Sequence, residues 1–265
     1  MANHGNTGGL MTNTLNTRRL FFASCMALIV TAMTFAIRAN IIGDLGKQFS
    51  LSHEEMGWVL GTAFWGFTLA MIFGGPLCDV LGMGTLLVIA FVGHAAGVVL
   101  TIFATGFWSL FLSTLLVGVA NGMVEAACNP LVTALHPENK TEKLNHFHVW
   151  FPGGIVIGGL IAYALTRLGL GWKSQMISIL IPALVYGALF LGQRLPKTER
   201  VSSGVSYLDM LKACASPLFI LMVLAMLFTA ATELGTGQWI AELLGNVGVP
   251  AILLLVFING LMAMG

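Results

Sequence analysis

Polar residues come in short clusters along this chain, and between them run long stretches in which nearly every position is apolar. Eight such stretches lie at about 19–42, 57–76, 84–105, 107–134, 149–168, 174–193, 217–236 and 247–265. A helix rises ~1.5 Å per residue, so about twenty residues cross the ~30 Å hydrocarbon core of a bilayer. The runs are continuous rather than alternating, which predicts helices and argues against a membrane barrel. Residues 1–17 hold Asn, Thr and Gly with few apolar positions and read as an unstructured tail. A cleaved signal peptide is the other reading of tail, Arg18-Arg19 and first run. The run is longer than the usual signal core, however, and many more spans follow it.

The clusters between the runs set orientation. With the N-terminus in the cytoplasm, the inner loops carry Arg18, Arg19, Lys140, Lys143, Arg194, Lys197, Arg200 and Lys212. The outer loops then carry only Lys47, Arg167 and Lys173, and Arg38 falls inside a span. Cytoplasmic loops hold the excess of Lys and Arg, so this orientation is the expected one. The longest polar break, 194–216, separates six spans from two, and its piece Tyr207–Lys212 suits a short amphipathic turn at the interface. The expected organisation is a tail over 1–18, a six-helix bundle over 19–195, a cytoplasmic loop over 196–216 and a partial second bundle over 217–265.

Composition agrees and narrows the class. Apolar residues make up 57% and charged residues 9%, against roughly 45–50% and 25% in a soluble domain. A net charge of +1 offers nothing to a nucleic acid. No Ser–His or paired-acid spacing suggests an enzyme, and no cofactor motif is present. Cys25, Cys78, Cys128 and Cys214 are far apart, form no CxxC pair and read as buried structural thiols.

Four segments hold candidate chemistry. The turn Gly75-Pro76-Leu77-Cys78-Asp79-Val80-Leu81-Gly82-Met83-Gly84 places an acid between the second and third spans. Inside the fourth run, Asn121, Glu125 and Asn129 are spaced by four and share one stripe. A glutamate in a span needs a partner or a wet cavity, and Arg38 is the obvious partner, since each is expensive alone in lipid. Arg38 could instead snorkel toward headgroups, and the stripe could be helix–helix glue. The third segment, Leu144–Gly154, contains His146 and His148; residues two apart point to opposite helix faces, so metal binding is not expected, and His148 suits a cavity hydrogen bond. His146 and His94 read as structural. The fourth, Thr232-Glu233-Leu234-Gly235-Thr236-Gly237-Gln238-Trp239, joins acceptors to an aromatic, as sugar sites do. Trp239 could equally belong to an interfacial aromatic belt. The pairs Gly57/Gly61, Gly93/Gly97, Gly118/Gly122 and Gly154/Gly158 read as close-packing surfaces.

A shift of 193 residues lays Phe35 on Phe228, Asn40 on Glu233, Phe64 on Phe257 and Gly66 on Asn259. Six spans, a loop and a restart resemble the parallel-repeat plan of major facilitator transporters. Gly75, Asp79 and Gly82 resemble that family's signature turn, whose three basic positions are here Val80, Met83 and Gly84. The run Glu125-Ala126-Ala127-Cys128-Asn129-Pro130, with Leu135-His136-Pro137 and Leu144-Asn145, resembles the fucose permease branch.

The resemblance implies an all-α transmembrane major facilitator fold, with a complete six-helix half and about two helices of a second, truncated half. It also implies proton-coupled uptake of a monosaccharide or polyol across a bacterial inner membrane by a monomer. Glu125, tuned by Arg38, would carry the proton. Asn40, Asn121, Asn129, His148, Glu233, Gln238, Trp239 and Asn259 would line the substrate site, and Asp79 would act as a conformational latch or cap a helix. The family's helix-one acid falls on Gly43, one residue before Asp44. Alternatives are a carboxylate substrate clamped by Arg38, or a non-transporting membrane sensor.

Overall fold

The computed structural model describes residues 15–243 and 249–264, apart from the side chains of 238 and 240–243. The chain forms α1 (Thr17–Phe49), α2 (His53–Leu81), α3 (Met83–Ile102), α4 (Phe107–Leu135), α5 (Lys140–His148), α6 (Trp150–Arg167) and α7 (Trp172–Phe190). It continues with α8 (Glu199–Ser203), α9 (Tyr207–Cys214), α10 (Pro217–Leu243) and α11 (Ala251–Met264). Among the described residues there is no strand, and seven helices are long and apolar enough to cross a membrane. α5 and α6 together make one of those spans. The eighth expected span, 247–265, lies partly outside the described residues. α11 has 14 described residues, about 21 Å of helix; residues 244–248 and Gly265 lie outside the described part.

Local chemistry sets the helix ends. Asn16 caps α1 by accepting from the Arg19 N–H at 3.0 Å. Ser52 and Glu55 form a reciprocal capping box at the start of α2. Arg19 closes the far end of another helix: its Nε donates to the Leu189 carbonyl at 2.8 Å and its Nη2 to Ala188 at 3.0 Å. These are among the last carbonyls of α7, where helices leave acceptors without internal partners. Gly82 alone joins α2 to α3, with φ at +83°, a conformation open to glycine and costly for most L-residues.

α1 is the centre of the bundle. It packs on α6, α7 and α4 and also meets α10 and α11, and residues 27–39 are buried without a break. A helix apolar around its whole circumference belongs in such a position. α2 and α4 meet most closely. A Cβ on Gly118 would lie 2.3 Å from the Ala63 carbonyl oxygen, and one on Gly122 would lie 2.4 Å from that of Phe67. Gly93, Gly97, Gly154 and Gly158 also face neighbouring helices at 3.0 Å or less, whereas Gly57 and Gly61 face open space or only the edge of Trp239. That first pair is therefore not a packing surface. Cys25, Cys78 and Cys128 are buried and Cys214 is exposed, because the 194–216 segment lies outside the bundle core.

Candidate functional site

A cavity of about 240 Å³ lies where α1 and α6 meet α10 and α11. Its wall is mostly apolar, with Phe35, Ile155 and Met262, and its polar groups are Thr232, Glu233, Thr236 and Asn259. α10 presents Thr232, Glu233 and Thr236 within little more than one turn, and α11 presents Asn259. The Asn259 side chain is buried and donates to the Leu255 carbonyl at 2.9 Å, which leaves its Oδ1 as the acceptor available to the cavity. Of the residues expected at a substrate site, Glu233 and Asn259 line this cavity. Thr232, Thr236 and Phe35 join them; their signal in the sequence was proximity to Glu233 and the shift that pairs Phe35 with Phe228.

Trp239 is placed elsewhere. Together with Ile42, Gly43, Lys47, His53 and Met56 it lines a second cavity of about 520 Å³, at the end of the bundle that holds the α1–α2 turn. The Gln238 side chain lies outside the described residues. Asn40 is half-buried, and its amide N–H donates to Gln175 Oε1 at 2.9 Å. His148 ends α5 and is exposed.

The polar stripe of α4 turns into the six-helix bundle rather than toward the cavity. Asn121 Nδ2 donates to Thr34 Oγ1 at 3.0 Å, so its Oδ1 accepts from His94 Nε2–H at 2.7 Å. His94 Nδ1 is then the acceptor for the Tyr186 hydroxyl at 2.9 Å. The Thr34 hydroxyl in turn donates to the Thr31 carbonyl at 2.7 Å. One buried chain of hydrogen bonds thus ties α1, α3, α4 and α7, and it fixes the His94 tautomer. Thr34 and Tyr186 carried no distinctive motif.

Glu125 is 8% exposed. Its Oε2 accepts from Asn129 Nδ2 at 2.9 Å, and no cation among the described residues pairs with it. Asn129 Oδ1 is buried with no partner among the described residues. A neutral carboxylic acid has one donor and one acceptor, and a carboxamide offers their complement.

The expected Arg38–Glu125 pair does not form, and the register explains why. Thr34 is level with Asn121, and Ser24 lies against Cys128, so α1 and α4 run antiparallel. Arg38 is four residues along α1 from Thr34, and Glu125 is four residues along α4 from Asn121. Each step moves ~6 Å in opposite directions, leaving roughly 12 Å between their levels. Arg38 is 4% exposed, and its Nη2 has no hydrogen-bond partner among the described residues. Asp79, the acid of the α2–α3 turn, accepts from Arg200 and Thr198 in the segment after α7. No group of metal-ligating residues was found among the described residues.

Comparison with known proteins places this geometry. A profile described as Major Facilitator Superfamily matches residues 20–265. The chain is 27% identical to a D-xylose transporter of Levilactobacillus brevis over 71% of its own length and 41% of that protein's. It is 26% identical to a D-galactonate transporter of Escherichia coli over 61% of its length and 36% of that protein's. In three dimensions it resembles the crystal structure of a D-xylose-proton symporter, with a TM-score of 0.70 at 14% identity, over 93% of this chain and 66% of that one. This chain thus spans less than half of the two curated transporters. The structural likeness, at that identity, speaks to the fold. None of the three is named for fucose.

Proposed function

This chain belongs to the Major Facilitator Superfamily, and on that premise we propose that it works as a secondary transporter of a small polyhydroxylated solute, driven by protons. Transport rather than catalysis is what membership supports. The observation that carries the cargo class is the cavity between α1–α6 and α10–α11. Its 240 Å³ equals the share of about eight waters at ~30 Å³ each, room for a solute of roughly ten heavy atoms. Glu233, Asn259 and two threonine hydroxyls in an otherwise apolar wall suit a ring with several hydroxyl groups. A site on the seam between helix groups suits alternating access, since movement of either group opens it to one side.

Glu125 is the candidate proton carrier. It is buried, no cation among the described residues pairs with it, and Asn129 offers both partners that its protonated form needs. With the N-terminus placed in the cytoplasm of a bacterial cell and a monomer as the working unit, proton-driven movement would be uptake. A named relative that carries D-xylose supports the neutral-sugar reading.

One observation favours a second reading, a cargo bearing a carboxylate. The Arg38 guanidinium is buried, and its Nη2 has no partner among the described residues. It does not line the cavity in this state, but an anionic group brought to α1 would relieve an expensive lone cation. The named D-galactonate relative fits this reading.

Competition separates the two. Reconstituted protein is offered one labelled pentose, with unlabelled hexoses, polyols and hexonates as competitors. Competition by neutral sugars, lost in Glu233→Gln and kept in Arg38→Gln, supports the first reading. Competition only by the acids, lost in Arg38→Gln, supports the second. Failure of every member to compete or accumulate removes the cargo assignment.

A further inference from the structure

The outer surface of the six-helix bundle is not smooth. A groove of about 640 Å³ runs between α3 and α7. Leu87 and Tyr186, both buried, lie at its base, and Val88, Val92, Leu184 and Leu191 are exposed along it. The Tyr186 hydroxyl is already bonded to His94, so it brings no free polar group. Phe91 fills the space beside Gly187, where a Cβ would come within 2.7 Å of its ring. From Gly84 to Val92 the groove follows α3 for ~12 Å, close to the ~15 Å depth of one leaflet of the hydrocarbon core. We propose that this groove holds an acyl chain of a glycerophospholipid whose anionic headgroup is bound by Arg194 and Lys197.

The groove changes character at one end. Gly84, Gln193 and Leu195 line both the groove and an adjoining cleft of about 570 Å³, which adds Thr85 and Lys197. Gly192, with φ at +71°, turns the chain there as it leaves α7. Arg194 and Lys197 follow in the same connection, and both are exposed. Arg19 lies at this end as well, where it donates to the Ala188 and Leu189 carbonyls, and Arg18 beside it is exposed. Among the described residues, no carboxylate pairs with any of these four cations. The acids of the cleft and of α8 are taken, Asp79 by Arg200 and Glu199 by Lys140. Uncompensated positive charge therefore sits at the mouth of an apolar groove one leaflet deep. On the orientation proposed above, that mouth is cytoplasmic.

This combination suits an anionic amphiphile better than either of its parts. A soluble anion would meet only exposed cations, whose attraction is weak and screened by salt. A zwitterionic lipid could fill the groove equally well, but its ammonium adds a like charge to a cationic site. A phosphodiester without that ammonium leaves one negative charge for guanidinium and ammonium donors to share. Basic residues at the cytoplasmic surface each favour anionic lipid, and the groove fixes the place at which they do so.

Lipid retention tests the site. The purified protein is equilibrated with equal amounts of phosphatidylglycerol and phosphatidylethanolamine of the same chains, and bound lipid is counted by native mass spectrometry. A phosphatidylglycerol with a photoreactive acyl chain then maps the groove by peptide analysis. The parent protein is expected to retain phosphatidylglycerol about tenfold over phosphatidylethanolamine, as two surface cations favour it, with crosslinks concentrated in residues 84–92 and 184–195. Arg194→Gln with Lys197→Gln is expected to bring the ratio near one and to leave the crosslinks in place. Val88→Trp with Leu184→Trp, at two exposed positions, is expected to reduce those crosslinks severalfold. Glycerol phosphate, a headgroup without chains, is expected not to displace the lipid. A ratio near one in the parent, or one unchanged in the charge variant, would overturn the site. So would crosslinks spread evenly over the other lipid-facing helices, which report an ordinary annulus, or displacement by glycerol phosphate, which reports a soluble-anion site. The readout involves no cargo, so it stands or fails apart from the transport reading.

Discussion

A single hydroxyl tests the buried chain at the residue scale. Tyr186→Phe removes the donor to His94 Nδ1 and leaves a buried acceptor alone, at a cost of ~1–3 kcal/mol. Thermal unfolding in detergent is expected to show a lower midpoint, by roughly 2–4 °C for each kcal/mol. An unchanged midpoint would mean that His94 finds another partner. The same scale shows what the sequence could and could not reveal. Spacing by four put Asn121, Glu125 and Asn129 on one stripe, and that is how α4 presents them. Which way the stripe faces is a tertiary fact. It depends on Thr34 and His94, which lie 87 and 27 residues away from Asn121 in the chain. Arg38 and Glu125 look like partners as a list of charges, but antiparallel register separates them, and register is invisible without the fold.

At the scale of elements, hydropathy carried most of the reading. Long apolar runs placed the first seven spans, because a bilayer demands continuous helices, although α1 and α10 each run seven residues past the expected end. It understated α1, which continues to Phe49 through Asp44 and Lys47, since helix can extend past the hydrocarbon where its side chains reach water. Glycine pairs were half-legible: spacing by four marks a smooth strip, but only a facing helix makes it an interface. Gly118/Gly122 has that partner in α2, and Gly57/Gly61 does not. Gly122→Val should therefore force α2 and α4 apart and destabilise the bundle by about 1–3 kcal/mol. Gly61→Val should be close to neutral. Folded yield and thermal midpoint, measured side by side, check the contrast; equal effects would contradict this packing.

At the scale of the whole molecule, the family was legible and the cargo was not. Six spans, a polar break and an acid in the second turn carry the architecture, and the match over residues 20–265 establishes the superfamily. Cargo choice rests on groups that converge from separate helices. The cavity joins Phe35 of α1 to Glu233 of α10 and Asn259 of α11, a combination that no local motif announces. The contact at Asp79 is a second example. The sequence shows an acid without its neighbouring cations, and only the fold shows that Arg200 arrives from 121 residues away.

In the proposed mechanism, protons drive cargo through Glu125. Its most direct measurement is concentrative uptake of labelled pentose and hexonate into proteoliposomes under an imposed inward proton gradient, with Glu125→Gln beside the parent protein. Glutamine keeps the shape and the hydrogen bond to Asn129 but cannot take up or release a proton. The parent protein is expected to accumulate cargo along the gradient, and a protonophore to collapse that accumulation. Glu125→Gln is expected to lose accumulation and to keep exchange of labelled for unlabelled cargo. Accumulation by Glu125→Gln that still follows the proton gradient would overturn the assignment of coupling to Glu125.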